Sequence, residues 1–460
     1  MLEIRRGRSV YCDGLTRRDF VRVGALGLGG LTLPTLLAGR AAGAAAPQAK
    51  AVLLLWMGGG PSHYETFDPK PDAPEAYRGP SSAIPTNVSG IRIHEWLPRM
   101  AKIADKYAII RSIYHQEPGH TAADHWMQTG VAPGRPDSQG NPAQAAPYFG
   151  SVLARTLPPQ SALPPLISIR SYGTYGIGGF NYVYYDNPER LGPAYAPLRM
   201  TGSDKQGYVL NDLPLPPNVT SGRLERRSRL ARIIDGAAGL ADRELAASTL
   251  DEYQRRAYGL VTSSATREAF DLSGEPEKLK EDYGKNGFGQ AFLLGRRLVE
   301  KGVPVVSVST GNWDTHGNLM AQGIEIGALA RMRDHLCPTL DQAFSALLRD
   351  MDDRGLLKET LVLWMGEFGR SPKVEAPDSG RDHWPHAMSV VAAGGGVRGG
   401  QVIGSTTADG GYADERRLRP IDLIATIYQK MGVSPGTILH DPQGRPWEIA
   451  GEGEVIRELV

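Results

Sequence analysis

Only two cysteines, Cys12 and Cys337, occur in 460 residues. So sparse a supply rules out a disulfide framework and argues against a cysteine-built structural zinc site, leaving stability to a buried core. Charge of one sign is missing as well. The net charge is +1, and setting aside residues 1–46, with seven Arg and three acids, leaves 44 basic and 47 acidic groups. No general positive field exists to attract nucleic acid or an anionic membrane. Hydrophobic content of 41% and charged content of 22% are those of a soluble globular chain rather than a disordered or many-span one. Several catalytic signatures are absent too: the Gly-x-Ser-x-Gly elbow, the phosphate-loop lysine motif and His-Glu-x-x-His. Gly394, Gly396 and Gly399 match the dinucleotide spacing, but they lead into turn-like "GQVIGSTTADG" instead of a helix.

What the first segment does contain reads as an address. "LTRRDFVRVGALGLGGLTLPTLLAG" opens on Thr16, Arg17, Arg18 and Phe20, continues through a mildly apolar Gly-rich stretch and ends in "AAGAAAP". This is a twin-arginine signal layout with cleavage expected after Ala46. The expectations are a signal peptide over 1–46, the twin-arginine translocase as a partner during export, and a periplasmic or extracellular mature chain over 47–460. The apolar run is short and Gly-rich for a spanning helix, so no stable membrane span is expected after cleavage. Cleavage would also leave Cys337 as the lone thiol. Twin-arginine export often carries folded proteins with a cofactor in place, a mild hint of metal.

The mature chain alternates between buried strands and amphipathic helices. "AVLLLWMGGG" (51–60) predicts a fully buried strand stopped by glycines. A helix near 98–105, a strand near 107–113 and a helix from "GHTAADHWMQTG" follow. Residues 131–215 are rich in Pro, Gly and Tyr and suggest long loops or a partly separate cap, and 220–285 are charged and helical in pattern, giving an expected insertion over 131–285. Alternation then resumes: helix "GQAFLLGRRLVEKG", strand "VPVVSVST", one or two helices over 324–355, strands "TLVLWMG" and "AMSVVAAGG", and helix "PIDLIATIYQKMG". The expected fold class is α/β, a doubly wound, mostly parallel sheet with helices on both faces.

In such sheets ligands bind at the carboxyl ends of the strands. Carboxylates and imidazoles gather there: Ser62, His63, Glu65 and Asp68 in "GGGPSHYETFD", Asp314 and His316 in "GNWDTHGN", and Glu367 and Arg370 in "GEFGRSP". Asp382, His383 and His386 in "GRDHWPH" precede a strand and join the group if their loop folds back. Each motif alone is ordinary turn chemistry. Brought together, such carboxylates repel and take up protons unless a divalent cation holds them ionised, and a mixed Asp/Glu/His set suits Zn, Mn or Fe, or with more oxygen ligands Mg or Ca. The helix beginning near His120 and Thr121 points free N–H groups at whatever lies in front of it, which suits phosphate or sulfate. Thr121 could attack there or simply cap the helix, and Ser62 is a rival nucleophile.

Together these stretches, with "YGKNGFGQAFLLGRRLVEKG" and "GRDHWPHAMSVVAAGGGVRGGQVIGST", resemble the DUF1501 family of exported bacterial proteins, placed with the alkaline phosphatase and sulfatase superfamily. The resemblance implies a single alkaline-phosphatase-like domain over 47–460, one or two divalent ions (Zn, Mn, Mg or Ca), and hydrolysis of a sulfate or phosphate ester, the substrate being an anionic small molecule or polysaccharide ester. It places His120 at the superfamily's nucleophile position with Thr121 beside it, Asp314, His316 and Glu367 at metal positions, His383 or His386 at the last metal histidine, and Glu65, Asp68 or His63 in place of the missing aspartates of the first strand; the expected metal set is therefore Asp314, His316, Glu367, Asp382, His383 and His386. Arg370 is expected to neutralise the anionic substrate. Glycines in place of those aspartates also leave room for a degenerate relative that binds a glycan or protein partner without turnover.

Overall fold

The strands at the middle of the central sheet, AVLLLWM, TLVLWM and MSVVAA, are short, almost uninterrupted apolar runs, the pattern of a strand covered on both faces. The computed structural model describes residues 47–460 apart from 80–81, 136–144, 159–160, 162, 172–183, 204–206, 210–222, 224–225, 227–267, 318, 322–323 and 375–379. The twin-arginine segment and most of the charged stretch expected over 220–285 therefore lie outside the described residues.

Among the described residues nine strands form the main sheet: β1 (Ala51–Met57), β2 (Tyr107–Ile113), β3 (Leu166–Ser171), β4 (Leu198–Ser203), β5 (Gly207–Val209), β6 (Val305–Thr310), β7 (Thr360–Met365), β8 (Met388–Ala393) and β9 (Gln401–Ile403). Their order is β9-β2-β8-β7-β1-β6-β3-β4-β5. β1 pairs in parallel with β7 and β6, and β6 in parallel with β3, whereas β8 runs antiparallel to both of its neighbours, β7 and β2. The fold is thus α/β with a mostly parallel sheet.

Successive side chains of β1 enter opposite layers: Leu53, Leu55 and Met57 belong to one core cluster, and Val52, Leu54 and Trp56 to the other. Three helices pack in the second layer: α1 (His120–Thr129), α2 (Phe149–Thr156) and α5 (Pro420–Lys430). The first layer holds α3 (Gly287–Glu300), whose N-cap Asn286 accepts from Gly289 N–H at 2.9 Å, and α4 (Cys337–Asp353). Full burial of each Leu, Ile, Val or Phe on these faces contributes about 1.5–3 kcal/mol, and conformational entropy offsets most of the total. Pro47–Val460 make up one compact unit. No helix among the described residues is long and apolar enough to cross a membrane.

Two expectations differ from the structure. Part of the proposed insertion over 131–285 belongs to the main sheet, since it supplies β3, β4 and β5. Leu166, Ile167 and Ile169 of β3 need cover on both faces and obtain it beside β6. The stretch 324–355 is not helical from its start, because Ile324–Ile326 pairs with Leu319–Ala321, as the alternation Ile-Glu-Ile favours, and the helical part begins at Ala328 after Gly327.

Candidate metal centre

Sheet direction assembles the site. The loops that leave β1, β2, β6 and β7 start from the same edge, and the reversed β8 begins at that edge, so the segment before it arrives among the others. Three local devices then fix the loops. Gly59 has φ +112°, and a Cβ there would lie 2.2 Å from the Asp314 nitrogen, so only glycine lets the first loop pass the third. An antiparallel bridge joins His316 to Gly380, and Arg381 N–H donates to the Thr315 carbonyl at 3.1 Å. A two-residue ladder sets Gly369 against Trp384 and Arg370 against His383. Residues directly opposite in such a ladder project to the same side, and Arg370 and His383 both reach Asp314.

At the centre, His120, Asp314 and His383 each offer one ligand atom, all within 4.8 Å of one another. Nε2 of His383 lies 3.0 Å from Asp314 Oδ1, and Nε2 of His120 lies 3.5 Å from Oδ2. Both imidazoles are oriented through their other nitrogen. His383 Nδ1 donates to the Pro118 carbonyl at 2.9 Å, and His120 Nδ1 donates to Glu367 Oε1 at 2.9 Å. With Nδ1 held as a donor, Nε2 is the atom that meets Asp314, and on losing its proton it would be the ligating nitrogen, which is how metal-ligating histidines are normally held. Glu367 Oε1 also accepts from Gly59 N–H at 2.7 Å, and Oε2 is buried with no hydrogen-bond partner among the described residues. Two oriented imidazoles, an aspartate and a buried carboxylate with spare acceptor capacity fit a divalent cation such as Zn or Mn.

The charges agree with this arrangement. Burial alone would raise the Asp314 carboxyl, but hydrogen bonds from His120 and His383 and the Arg370 guanidinium hold it well below the carboxylate range. Burial alone would depress His120, yet the hydrogen bonds to Asp314 and Glu367 outweigh it and lift the imidazole to about 9. In the metal-free chain a protonated His120 therefore bridges two carboxylates, as a cation would.

Residues 49–460 match the family described as "Protein of unknown function (DUF1501)". The chain belongs to that family. Among curated proteins nothing matches. Similar solved structures include the PsFucS1 sulfatase from Pseudoalteromonas sp., at 14% identity and TM-score 0.39, covering 87% of this chain and 70% of that one. The phosphonate monoester hydrolase of Agrobacterium radiobacter is similar at 11% identity and TM-score 0.32, covering 90% of this chain and 77% of its own. The lipoteichoic acid synthase LtaP from Listeria monocytogenes is similar at 9% identity and TM-score 0.34, with coverages of 85% and 74%.

The remaining residues expected in the site of this DUF1501 chain fall into distinct places. His316 joins the cluster, its Nε2 3.0 Å from Asp314 Oδ2 and its side chain 43% exposed. Glu367 sits behind His120 and orients it. Asp382 is exposed, and it is its backbone that bonds Ser371. His386 stacks with Tyr412 and meets Trp384 edge-on, away from the cluster, because Pro385 turns the chain into β8.

Four other expectations are corrected. Arg370 cannot face a substrate: it is completely buried, and its nitrogens bond Asp314 and four backbone carbonyls. Ser62 is buried and donates to Glu65, so as it stands it is not a nucleophile. Glu65 forms a buried ion pair with Arg381 at 2.8 Å, and His63 meets the Gly410 carbonyl at 3.0 Å, so neither stands in for a missing aspartate at the cluster. Asp68 is likewise buried, paired with Lys70 and Arg111. Thr121 is half-buried at the second position of α1, and the helix is capped at Gly119 with no side-chain hydrogen bond, so Thr121 is not the cap.

Sequence reading passed over Arg381 and His115. His115 Nε2 lies 2.6 Å from the Glu367 carbonyl, and Arg381 also binds the Tyr77 and Pro372 carbonyls. The available signal was position: His115 lies two residues past the end of a strand, and Arg381 lies inside "GRDHWPH".

Proposed function

We propose that this chain is an exported metal-dependent hydrolase of sulfate or phosphate esters. The observation that carries the reading is the convergence of His120, Asp314 and His383 from three separate loops, with both imidazoles turned so that Nε2 faces the aspartate. A divalent ion held by these three residues would act as a Lewis acid, polarising the ester's non-bridging oxygens and stabilising the charge that develops on them. The N-terminal end of α1, the positive end of its dipole, would favour the same anionic group. Glu367 keeps His120 in the ligating tautomer. His316, the most exposed imidazole of the cluster, would give a proton to the departing alkoxide and recover one from the attacking water. With Ser62 buried and His120 engaged by two carboxylates, water is the nucleophile that best fits these surroundings, and Thr121 is the remaining hydroxyl at the helix start.

A screen of aryl sulfates and aryl phosphates with added Zn, Mn, Mg or Ca tests the reading. Turnover that disappears in chelator and in His383→Ala supports it; a folded, metal-loaded chain inert toward both ester classes overturns it. One observation favours a second reading, in which the site binds a glycan or protein partner without turnover: the side chain at the helix start is an engaged histidine rather than a free hydroxyl. Metal-dependent retention on an anionic glycan without hydrolysis distinguishes that case. Export through the twin-arginine route, supported by Arg17 and Arg18, belongs to the same proposal. Its check is whether the double substitution Arg17→Lys, Arg18→Lys leaves the protein in the cytoplasm.

A further inference from the structure

The Arg370 guanidinium lies in a cage of oxygen atoms. Nη2 is 2.7 Å from Asp314 Oδ1 and 3.1 Å from the Trp313 carbonyl, and also bonds the Gly59 carbonyl; Nε donates to the Gly60 carbonyl at 2.8 Å and Nη1 to the Arg381 carbonyl at 3.1 Å. One carboxylate and four carbonyls form the kind of hard-oxygen donor set that otherwise coordinates a divalent cation. Here a side chain fills it. The residue is completely buried, pinned opposite His383 in the two-residue ladder, with the Phe368 ring centroid 5.6 Å from its central carbon.

We propose that Arg370 is a built-in second cation, so that the centre takes a single divalent ion at His120, Asp314 and His383 beside a guanidinium that never leaves. The inference rests on the metal-centre reading given under Proposed function and adds the number of ions and the role of Arg370. Charge counting supports it. Asp314 and Glu367 carry two negative charges, and Arg370 cancels one permanently. A single divalent ion then leaves a net of one positive charge for an anionic ester, whereas a second ion would either place three cations around the same aspartate or expel the guanidinium from its five acceptors. Arg370 acts through Asp314 and does not touch the substrate. It is a positioning residue.

The test is stoichiometry. The purified chain is loaded with Mn, freed of unbound metal, and its ion-to-protein ratio read by elemental analysis and native mass spectrometry. One ion per chain is expected. Two ions overturn this inference while leaving the metal-centre reading intact; no ion overturns both. In Arg370→Ala, with folding checked by circular dichroism, the vacated oxygen cage is expected to raise the ratio from one to two, and Arg370→Lys is expected to restore one. A folded Arg370→Ala protein that still holds one ion contradicts the role given to Arg370. Should that variant not fold, the wild-type ratio decides alone.

Discussion

His120 Nδ1 lies 2.9 Å from Glu367 Oε1, although 247 positions separate the two residues in the chain. The contact fixes both ring orientation and tautomer. Glu367→Gln keeps the shape and can still accept one hydrogen bond, but it removes the charge that strengthens His120 as a ligand. Metal affinity is expected to fall about 10–100-fold, the usual effect of losing such an orienting partner. Calorimetric titration with Zn or Mn checks this; affinity unchanged in Glu367→Gln contradicts the orienting role.

The His120 imidazole, lifted to about 9 in the metal-free chain, must lose its proton before Nε2 can ligate. Between pH 7 and 9, ion binding is therefore expected to release about one proton, so that apparent affinity rises about tenfold per pH unit and levels off above 9. Calorimetry in buffers of different ionisation enthalpy counts the protons. No release at pH 7.5 contradicts His120 as a ligand.

Ser62 is the clearest negative control. Its hydroxyl donates to Glu65, which Arg381 already pairs. Ser62→Ala is expected to retain ester turnover and to cost about 1.5–3 kcal/mol of stability from one lost bond to a buried charged group. A fluorophosphonate probe should leave Ser62 unlabelled. Labelling of Ser62, or turnover abolished by Ser62→Ala, would restore a serine mechanism.

Four other histidines set the acid limit of the fold. Burial above all pushes His63, His94, His115 and His125 down to about 4. A folded-state value below the unfolded one means that the unfolded chain binds more protons under acid conditions. Their contribution is complete above about pH 6.5 and is lost as pH falls from 6.5 to 4, on the order of a few kcal/mol for each group. His120 has the opposite sign: in the metal-free chain its contribution is present below 6.5 and lost as pH rises toward 9. Urea unfolding at pH 7 and pH 5 should show the loss on acidification. Equal stability at both values contradicts the buried neutral state.

Much of this architecture is legible in the chain because the cause is local. "AVLLLWM" can only be a doubly covered strand, and "GQAFLLGRRLVEKG" only a helix with one apolar face. The clustering of Asp314, His316 and His383 follows from the rule that strand ends gather ligands, and β8 obeys it by running backwards. Side-chain partners are harder to read, since they depend on which loop lies against which. In sequence Ser62 reads as a rival nucleophile and Glu65 and His63 as substitute metal ligands, yet Arg381 and the Gly410 carbonyl, more than 300 positions away from Glu65 and His63, engage those two as structure. Arg370 misleads for the same reason: an arginine in a glycine-rich loop looks free to meet an anion until four carbonyls from other segments are seen around it.

Crystals grown with Mn or Zn and measured across the metal's absorption edge give the position of a bound ion directly. The anomalous peak is expected within ligand distance of His120 Nε2, an Asp314 carboxylate oxygen and His383 Nε2, with Arg370 still in its oxygen cage. A peak elsewhere on the molecule, or a metal-soaked crystal in which His120 remains bridged between Asp314 and Glu367 with no ion beside it, contradicts the account.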